Sequence, residues 1–367
     1  MPLVLTALFS GVVALVVATA LVPLTMILAR HVGGVDRPDD DRRIHTVPTP
    51  RLGGLAMCGG FAAAVMIFGG GMRFQWAIIA LTVVVTVAMA VDDIYSLPWW
   101  TKLALEVGMG LAVAASGILI TFFAIPGLHG AVLIRLGFLA VPLTVIWIVG
   151  LETSINLIDG VDGVAAGVMA IVAVVLLIAA VERLHADGSV QPHIVILSAA
   201  LMGCCLGFLI FNFAPARVFM GDSGSHFLGV AVGIVTILGV AKVAVALALG
   251  IPILALGVPI GDTAFAIWRR RRGGGRIAVA DRGHIHHRLL ALGLSARETA
   301  LAFYLATAML GFVGLAILGY RLLMLGMALV MMVLLVMLLI RTRQKILLAD
   351  AQQMAHSAPS ISHDASE

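Results

Sequence analysis

Charge is what this chain has least of: Asp, Glu, Lys and Arg make up 11% of its 367 residues, against 61% hydrophobic residues and a mean hydropathy of +1.12. That is far too much apolar surface for one water-soluble core, and no nucleic-acid partner is expected of such a chain. Cysteine is equally sparse. Cys58, Cys204 and Cys205 all lie in apolar runs, so small-residue packing is expected of them rather than a disulfide or a metal site. Alternation is missing too: the runs stay apolar for about 20 residues, whereas barrel strands alternate over about 10. There is no sustained internal repeat. No basic segment precedes the first run, whose first charge is Arg30 at its far end, so it reads as a retained helix with its N-terminus outside and not as a cleaved signal peptide.

What remains is an all-α integral membrane protein. About eleven transmembrane helices are expected, near 2–29, 53–71, 74–91, 100–121, 131–150, 163–181, 193–211, 225–240, 243–267, 298–319 and 321–340. Alternate connections test the orientation. Arg30, Arg37, Arg42, Arg43, Arg51, Lys102, Arg217, Arg269 to Arg272, Arg276, Arg282, Arg288, Arg297, Arg341, Arg343 and Lys345 share one side, which is 18 of the 23 basic residues. The positive-inside rule makes that side cytoplasmic, along with the C-terminus. Residues 1–345 then form a single polytopic domain, with loops 30–52, 92–99, 151–162, 212–224 and 268–297 on its cytoplasmic face. The segment 346–367 is polar and expected to be disordered. Arg269 to Arg272 anchor topology first, a role compatible with holding lipid phosphate, and Gly273 to Gly275 after them suggest a mobile loop.

Four short polar islands interrupt the apolar text, and all four fall on that face: VDDIYSLPWWTK at 91–102, NLIDGVDG at 156–163, FMGDSG at 219–224 and RGHIHHRL at 282–289. Ionisable groups near hydrocarbon are costly unless they serve a site. Asp92 and Asp93 would repel each other unless a cation, either a metal or Lys102, sits near. Asn156, Asp159 and Asp162 stand three apart on a Gly-rich turn, where backbone N–H groups can approach an anion and side-chain oxygens suit a hard cation. Asp222 lies between glycines just before another apolar run. Five aspartates and an asparagine with no thiolate favour Mg²⁺ or Mn²⁺ over zinc. His284, His286 and His287 are flanked by Arg282 and Arg288, which suits a phosphate cradle better than a zinc site. Metal-bearing carboxylates facing a His and Arg cluster describe a site for a nucleotide diphosphate.

These islands, with RIHTVPTPRLGG at 43–54, resemble the motif series of the polyprenyl-phosphate N-acetylhexosamine-1-phosphate transferases, of glycosyltransferase family 4 type, over about residues 30 to 290. The HIHHR form of the last motif resembles the branch using UDP-N-acetylglucosamine, which starts O-antigen, teichoic acid and arabinogalactan linkers. The muramyl-pentapeptide branch, usually with three consecutive histidines there, ranks second. The resemblance implies a bacterial plasma-membrane enzyme that transfers a sugar-1-phosphate from a UDP-sugar to undecaprenyl or decaprenyl phosphate, releasing UMP. By motif position, Asp222 and Asn156 would hold Mg²⁺, while Asp92 and Asp93 would face the lipid phosphate with Lys102 helping to place it. Asp159 and Asp162 would shape the nucleotide side, and the histidines with Arg282, Arg288, His45 and Arg51 would contact substrate. A homodimer is open.

Two positions depart from the pattern: Thr153 where many relatives have asparagine, and Glu106 where many have glutamine. An i,i+4 ion pair with Lys102 is the expected use of Glu106. A phosphate monoester is mostly dianionic at neutral pH, so direct attack on the sugar-bearing phosphorus is preferred. A transient aspartyl phosphate on Asp92 or Asp222 is the rival route. A secondary transporter is the alternative class. It is disfavoured because transporter sites sit near the bilayer midplane, whereas these carboxylates cluster at span ends.

Overall fold

The computed structural model describes residues 3–36, 48–127, 130–187, 192–241, 261, 267–268, 294–316 and 321–357. A chain this apolar must pair its backbone groups within each segment, which makes it helical. In chain order the described helices are α1 (Leu3–Val32), α2 (Gly53–Phe68), α3 (Gln75–Tyr95), α4 (Trp99–Ala115), α5 (Ala140–Ile158), α6 (Val164–Asp187), α7 (Pro192–Asn212), α8 (Gly221–Ala241), α9 (Ala296–Ala316) and α10 (Arg321–Ser357). Among the described residues eight helices are long and apolar enough to cross a membrane. With 16 and 17 residues, α2 and α4 fall just short. The expected run at 243–267 lies almost wholly outside the described residues.

The element ends differ instructively from the expected spans. Residues 131–135 do not open a helix: strand β3 (Phe122–Gly127) pairs antiparallel with β4 (Gly130–Arg135), Phe122 opposite Arg135 and Gly127 opposite Gly130, and a 3-10 turn at Gly137–Leu139 leads into α5 (β1 and β2, at Val35–Asp36 and Thr49–Pro50, form a two-residue bridge). Apolarity alone cannot separate a short strand from a helix start, and the Phe, Ile and Val content of this stretch favours the strand. At its other end α5 continues past 150 to Ile158, because Leu151, Ile155 and Ile158 carry its buried face onward at helical spacing. Glu152, Thr153 and Asn156 are therefore helical residues. Likewise α8 begins at Gly221, which puts Asp222 in its first turn. Helix α10 runs to Ser357, beyond the start of the polar segment at 346.

Helix α8 is the centre of the bundle, with 83% of its membrane-length window buried, packed on by α3, α5 and α2; α10 lies at the rim with 6%. In lipid, close backbone approach drives helix association. Gly203 of α7 lies against the Gly11 carbonyl of α1, and Gly54 of α2 lies directly on Gly224 of α8. The second crossing is fixed by two backbone bonds, from Gly53 N–H to the Phe219 carbonyl (3.1 Å) and from Gly54 N–H to the Met220 carbonyl (3.0 Å). Gly54→Val is expected to drive α2 off α8 and break both bonds, at a cost of about 3 kcal/mol or more. Its check is the melting temperature in detergent, and a melt equal to wild type would show that this contact does not hold the bundle.

Candidate active site

The site grows from the first turn of α8. A helix start leaves N–H groups unpaired, and here the cap comes from another helix. Asp93, near the end of α3, accepts from Asp222 N–H at 2.8 Å (Oδ1) and from Ser223 N–H at 3.0 Å (Oδ2). Gly221 makes this approach possible. Its φ is +71°, and a Cβ there would run into the Arg51 carbonyl and the Asp93 carboxylate. Arg51 Nε lies 3.4 Å from Asp93 Oδ1, so the segment before α2 closes over the same carboxylate.

Beside this cap, α4 delivers a cation. Lys102 Nζ is 2.6 Å from Asp92 Oδ2 and 2.6 Å from Asp222 Oδ2, bridging two aspartates from different helices. Asp92 is wholly buried, and its Oδ1 accepts from Leu97 N–H at 2.7 Å. The buried pair Asp92 and Asp93 therefore has its oxygens engaged by the protein. The groups that open outward are Lys102, 31% exposed at its side chain, and Asp222, 17%. From the last turn of α5, Asn156 Nδ2 donates to Asp222 Oδ1 (3.0 Å) and Ser225 Oγ (3.0 Å).

Asp159 and Asp162 divide their work. Asp162 Oδ2 accepts from Ala216 N–H at 2.8 Å, and Asn212 accepts from Gly163 N–H at 3.1 Å, so the α5–α6 turn is stapled to the segment before α8. Asp159 sits at the C-cap of α5. Burial, and then the nearby carboxylates of Asp222, Asp93 and Asp162, push its carboxyl well above the usual carboxylate range, with Arg51 opposing. Among the described residues no three His, Cys, Asp or Glu side chains surround a common point, so no all-protein cage is built. The described group that could take part in holding a cation such as Mg²⁺ is the Asp222 carboxylate, since Mg²⁺ is usually bound by one or two carboxylates together with substrate phosphates and water.

One residue a turn deeper, His226, stands in none of the four polar motifs' candidate sets. His226, on α8, places Nε2 3.0 Å from Glu106 Oε1, and Thr153 Oγ1 donates to Glu106 Oε2 at 3.2 Å. Glu106 is thus paired with His226 and Thr153, not with Lys102 as expected. The available signal was a histidine four places after Asp222, on the same helical face. Glu152, which lies in the expected loop 151–162, is helical and fully buried against Gly229, and neither side-chain oxygen has a hydrogen-bond partner among the described residues. Since an orphaned polar group contributes only its desolvation cost, Glu152→Met is expected to leave stability unchanged or raise it by about 1–2 kcal/mol. A clear drop in melting temperature would show that the carboxyl has a structural partner.

His45, Arg282, His284, His286, His287 and Arg288 lie outside the described residues. A cavity of about 390 Å³ lined by Arg73, Phe74, Ile118, His193 and Leu197 belongs to the other end of the bundle and includes none of these carboxylates.

A lysine and a set of aspartates gather at one end of a polytopic helix bundle, and comparison with known proteins gives its class. The profile described as Glycosyl transferase family 4 matches residues 75–240, the stretch from α3 to α8 that carries Asp92, Asp93, Lys102, Asn156, Asp159, Asp162 and Asp222. A "Probable undecaprenyl-phosphate N-acetylglucosaminyl 1-phosphate transferase" of Bacillus subtilis is 39% identical over 297 residues, 80% of each chain. A "Decaprenyl-phosphate N-acetylglucosaminephosphotransferase" of Mycolicibacterium smegmatis is 33% identical over 311 residues, 78% of this chain and 76% of the relative. A "Phospho-N-acetylmuramoyl-pentapeptide-transferase" of Acetivibrio thermocellus is 30% identical over 326 residues, 85% of this chain and 94% of the relative. The chain belongs to glycosyl transferase family 4, as a multi-pass membrane enzyme of the phosphosugar-transferase class.

Proposed function

We propose that the protein transfers N-acetylglucosamine-1-phosphate from UDP-N-acetylglucosamine to undecaprenyl or decaprenyl phosphate, giving polyprenyl-diphosphate-N-acetylglucosamine and UMP. The observation that carries this reading is the Lys102 bridge between Asp92 and Asp222. It supplies a partly exposed cation for one phosphate beside a carboxylate that can serve a second, with Asn156 alongside. The relatives whose names specify N-acetylglucosamine are more similar over this chain than the muramoyl-pentapeptide enzyme, which supports the sugar.

In this reading Lys102, backed by buried Asp92, receives the acceptor phosphate. An oxygen of that dianion attacks the sugar-bearing phosphorus of the donor. The new P–O bond forms as the bond to UMP breaks, and UMP leaves with the electron pair. Asp222 and Asn156 would hold Mg²⁺, or Mn²⁺, which when bound supplies charge neutralisation on the diphosphate. Asp93 and Asp162 keep the first turn of α8 and its preceding segment in place. Tyr95, Trp99 and Trp100, 60–74% exposed beside this end of the bundle, suit the headgroup level of a bilayer, where a prenyl phosphate presents itself. The basic-residue count supports a cytoplasmic active face in a bacterial plasma membrane, with the N-terminus outside.

The test is UMP release by purified protein in detergent. Turnover is expected only with UDP-N-acetylglucosamine and polyprenyl phosphate together, to fall to background in EDTA, and to return with Mg²⁺ or Mn²⁺. Turnover with UDP-muramyl-pentapeptide alone would overturn the sugar, EDTA-resistant turnover would overturn the metal, and silence with every donor would overturn the reaction.

A further inference from the structure

Two side-chain rungs, one helical turn apart, join α4 to α8. Lys102 and Glu106 are four residues apart on α4, and Asp222 and His226 are four apart on α8, so each pair shares a helix face. At the outer rung Lys102 Nζ meets Asp222 Oδ2 at 2.6 Å, and at the inner rung His226 Nε2 meets Glu106 Oε1 at 3.0 Å. The polarity reverses between them: α4 brings the cation outside and the carboxylate inside. The ring of His226 is held on both edges, because Nδ1 lies 2.8 Å from the Asp222 carbonyl oxygen. A carbonyl only accepts, so Nδ1 carries a hydrogen and donates it. On the far side, Thr153 ties the same glutamate to α5 at 3.2 Å. His226 is 1% exposed and Glu106 8%. Burying such a pair is at best neutral for stability compared with apolar packing, so its presence one turn below the site calls for a use.

The two helices depend on these rungs unequally. Independently of α4, the first turn of α8 is fixed by the Asp93 cap, by Asn156 on Ser225 and by the Gly54 crossing. The main packing of α4 is on α5 and α3, and among the described residues the side-chain contacts that join it directly to α8 are the two rungs. The outer rung is also the one that substrate must disturb, since both contacts of the Lys102 ammonium are carboxylates that an arriving phosphate and cation would share.

We propose that Glu106 and His226 are a positioning pair for the transfer: the inner rung keeps α4 in register on α8, so that Lys102 stays within reach of the acceptor phosphate when the outer rung opens. This rests on the function proposed above. Loss of the inner rung displaces Lys102 and leaves Asp222 in place, so the lipid side of the reaction suffers and the nucleotide side does not.

The test uses full-length protein in detergent and initial rates of UMP release, varying polyprenyl phosphate and UDP-N-acetylglucosamine separately. Glu106→Ala and His226→Ala are each expected to raise KM for the lipid about tenfold and to lower kcat, with KM for the UDP-sugar within about twofold. The double variant should be no worse than either single one. Glu106→Gln, which still hydrogen-bonds a neutral ring whose Nδ1–H is given to Asp222, should stay within about threefold of wild type. Equal shifts in both KM values, additive losses, or a Glu106→Gln as impaired as Glu106→Ala would each refute the pair. If the alanine variants do not fold, the double substitution Glu106→Leu with His226→Leu fills the space with apolar surface, and the same split between the two KM values is expected of it. An inactive wild type refutes the underlying reaction as well, whereas an active wild type with unchanged variants refutes the positioning pair alone.

Discussion

Asp222→Ala is expected to lower UMP release about 10³-fold while leaving the protein folded. Both oxygens of this side chain are in use: Oδ2 holds Lys102 at 2.6 Å and Oδ1 accepts from Asn156 at 3.0 Å. Removing the carboxylate takes away the proposed metal ligand and one of the two anions that place Lys102. The ammonium is then left to Asp92 alone, further inside. Deleting one preorganised charge or donor in a phosphoryl- or acyl-transfer site costs about 3–4 kcal/mol, which is two to three powers of ten in rate. The fold survives because α8 is not held by this side chain. Its first turn is capped by Asp93 through the backbone N–H groups of residues 222 and 223, and those bonds do not need the Asp222 carboxylate. Asp222→Asn should be nearly as inactive, since an amide has the size of the carboxylate but no charge for Lys102 or a cation. The measurement pairs kcat with a melting curve. Turnover within tenfold of wild type, in a variant that melts normally, would remove Asp222 from the chemistry.

Most of what the sequence shows plainly here comes from cost. An aspartate at the edge of an apolar run is expensive, so Asp92, Asp93, Asp159, Asp162 and Asp222 stand out individually, and the structure brings all five to one end of the bundle around the first turn of α8. Apolar run length is equally legible, which is why the helical class is readable. Pairing is not. Lys102 is 120 positions from Asp222 and Asp93 is 129 from it, and no local pattern says that these partners meet. Spacing put Glu106 beside Lys102, the nearest opposite charge. Yet both side chains instead turn across to α8, where Asp222 and His226 repeat the same four-residue step. Helix ends are hard to read from the sequence for a related reason. Glu152 looks like a loop residue because it is charged, but Leu151 and Ile155 on either side keep that stretch helical and carry the carboxyl into the core with them.

Asp93→Ala is expected to have the largest effect on the folded state of any single change at the site. The neighbouring Asp92 can lose its role without freeing a helix, but Asp93 is the cap of the central one. Its loss leaves the N–H groups of Asp222 and Ser223 unpaired in a region where Ser223 is wholly buried, at about 1–3 kcal/mol each. Arg51 loses its 3.4 Å partner at the same time, which loosens the segment leading into α2. The sum, about 2–6 kcal/mol, is comparable with the whole stability of many domains. Asp93→Asn should recover part of it, because an amide oxygen still accepts one N–H while its NH₂ faces the other, donor against donor. The rank order wild type, then Asn, then Ala should appear both in melting temperature and in hydrogen exchange at residues 222–226, with turnover falling in step. This separates the residue from Asp222: an Asp93→Ala protein that melts and exchanges like wild type but turns over nothing would make Asp93 a participant in the chemistry and not the cap that the geometry describes.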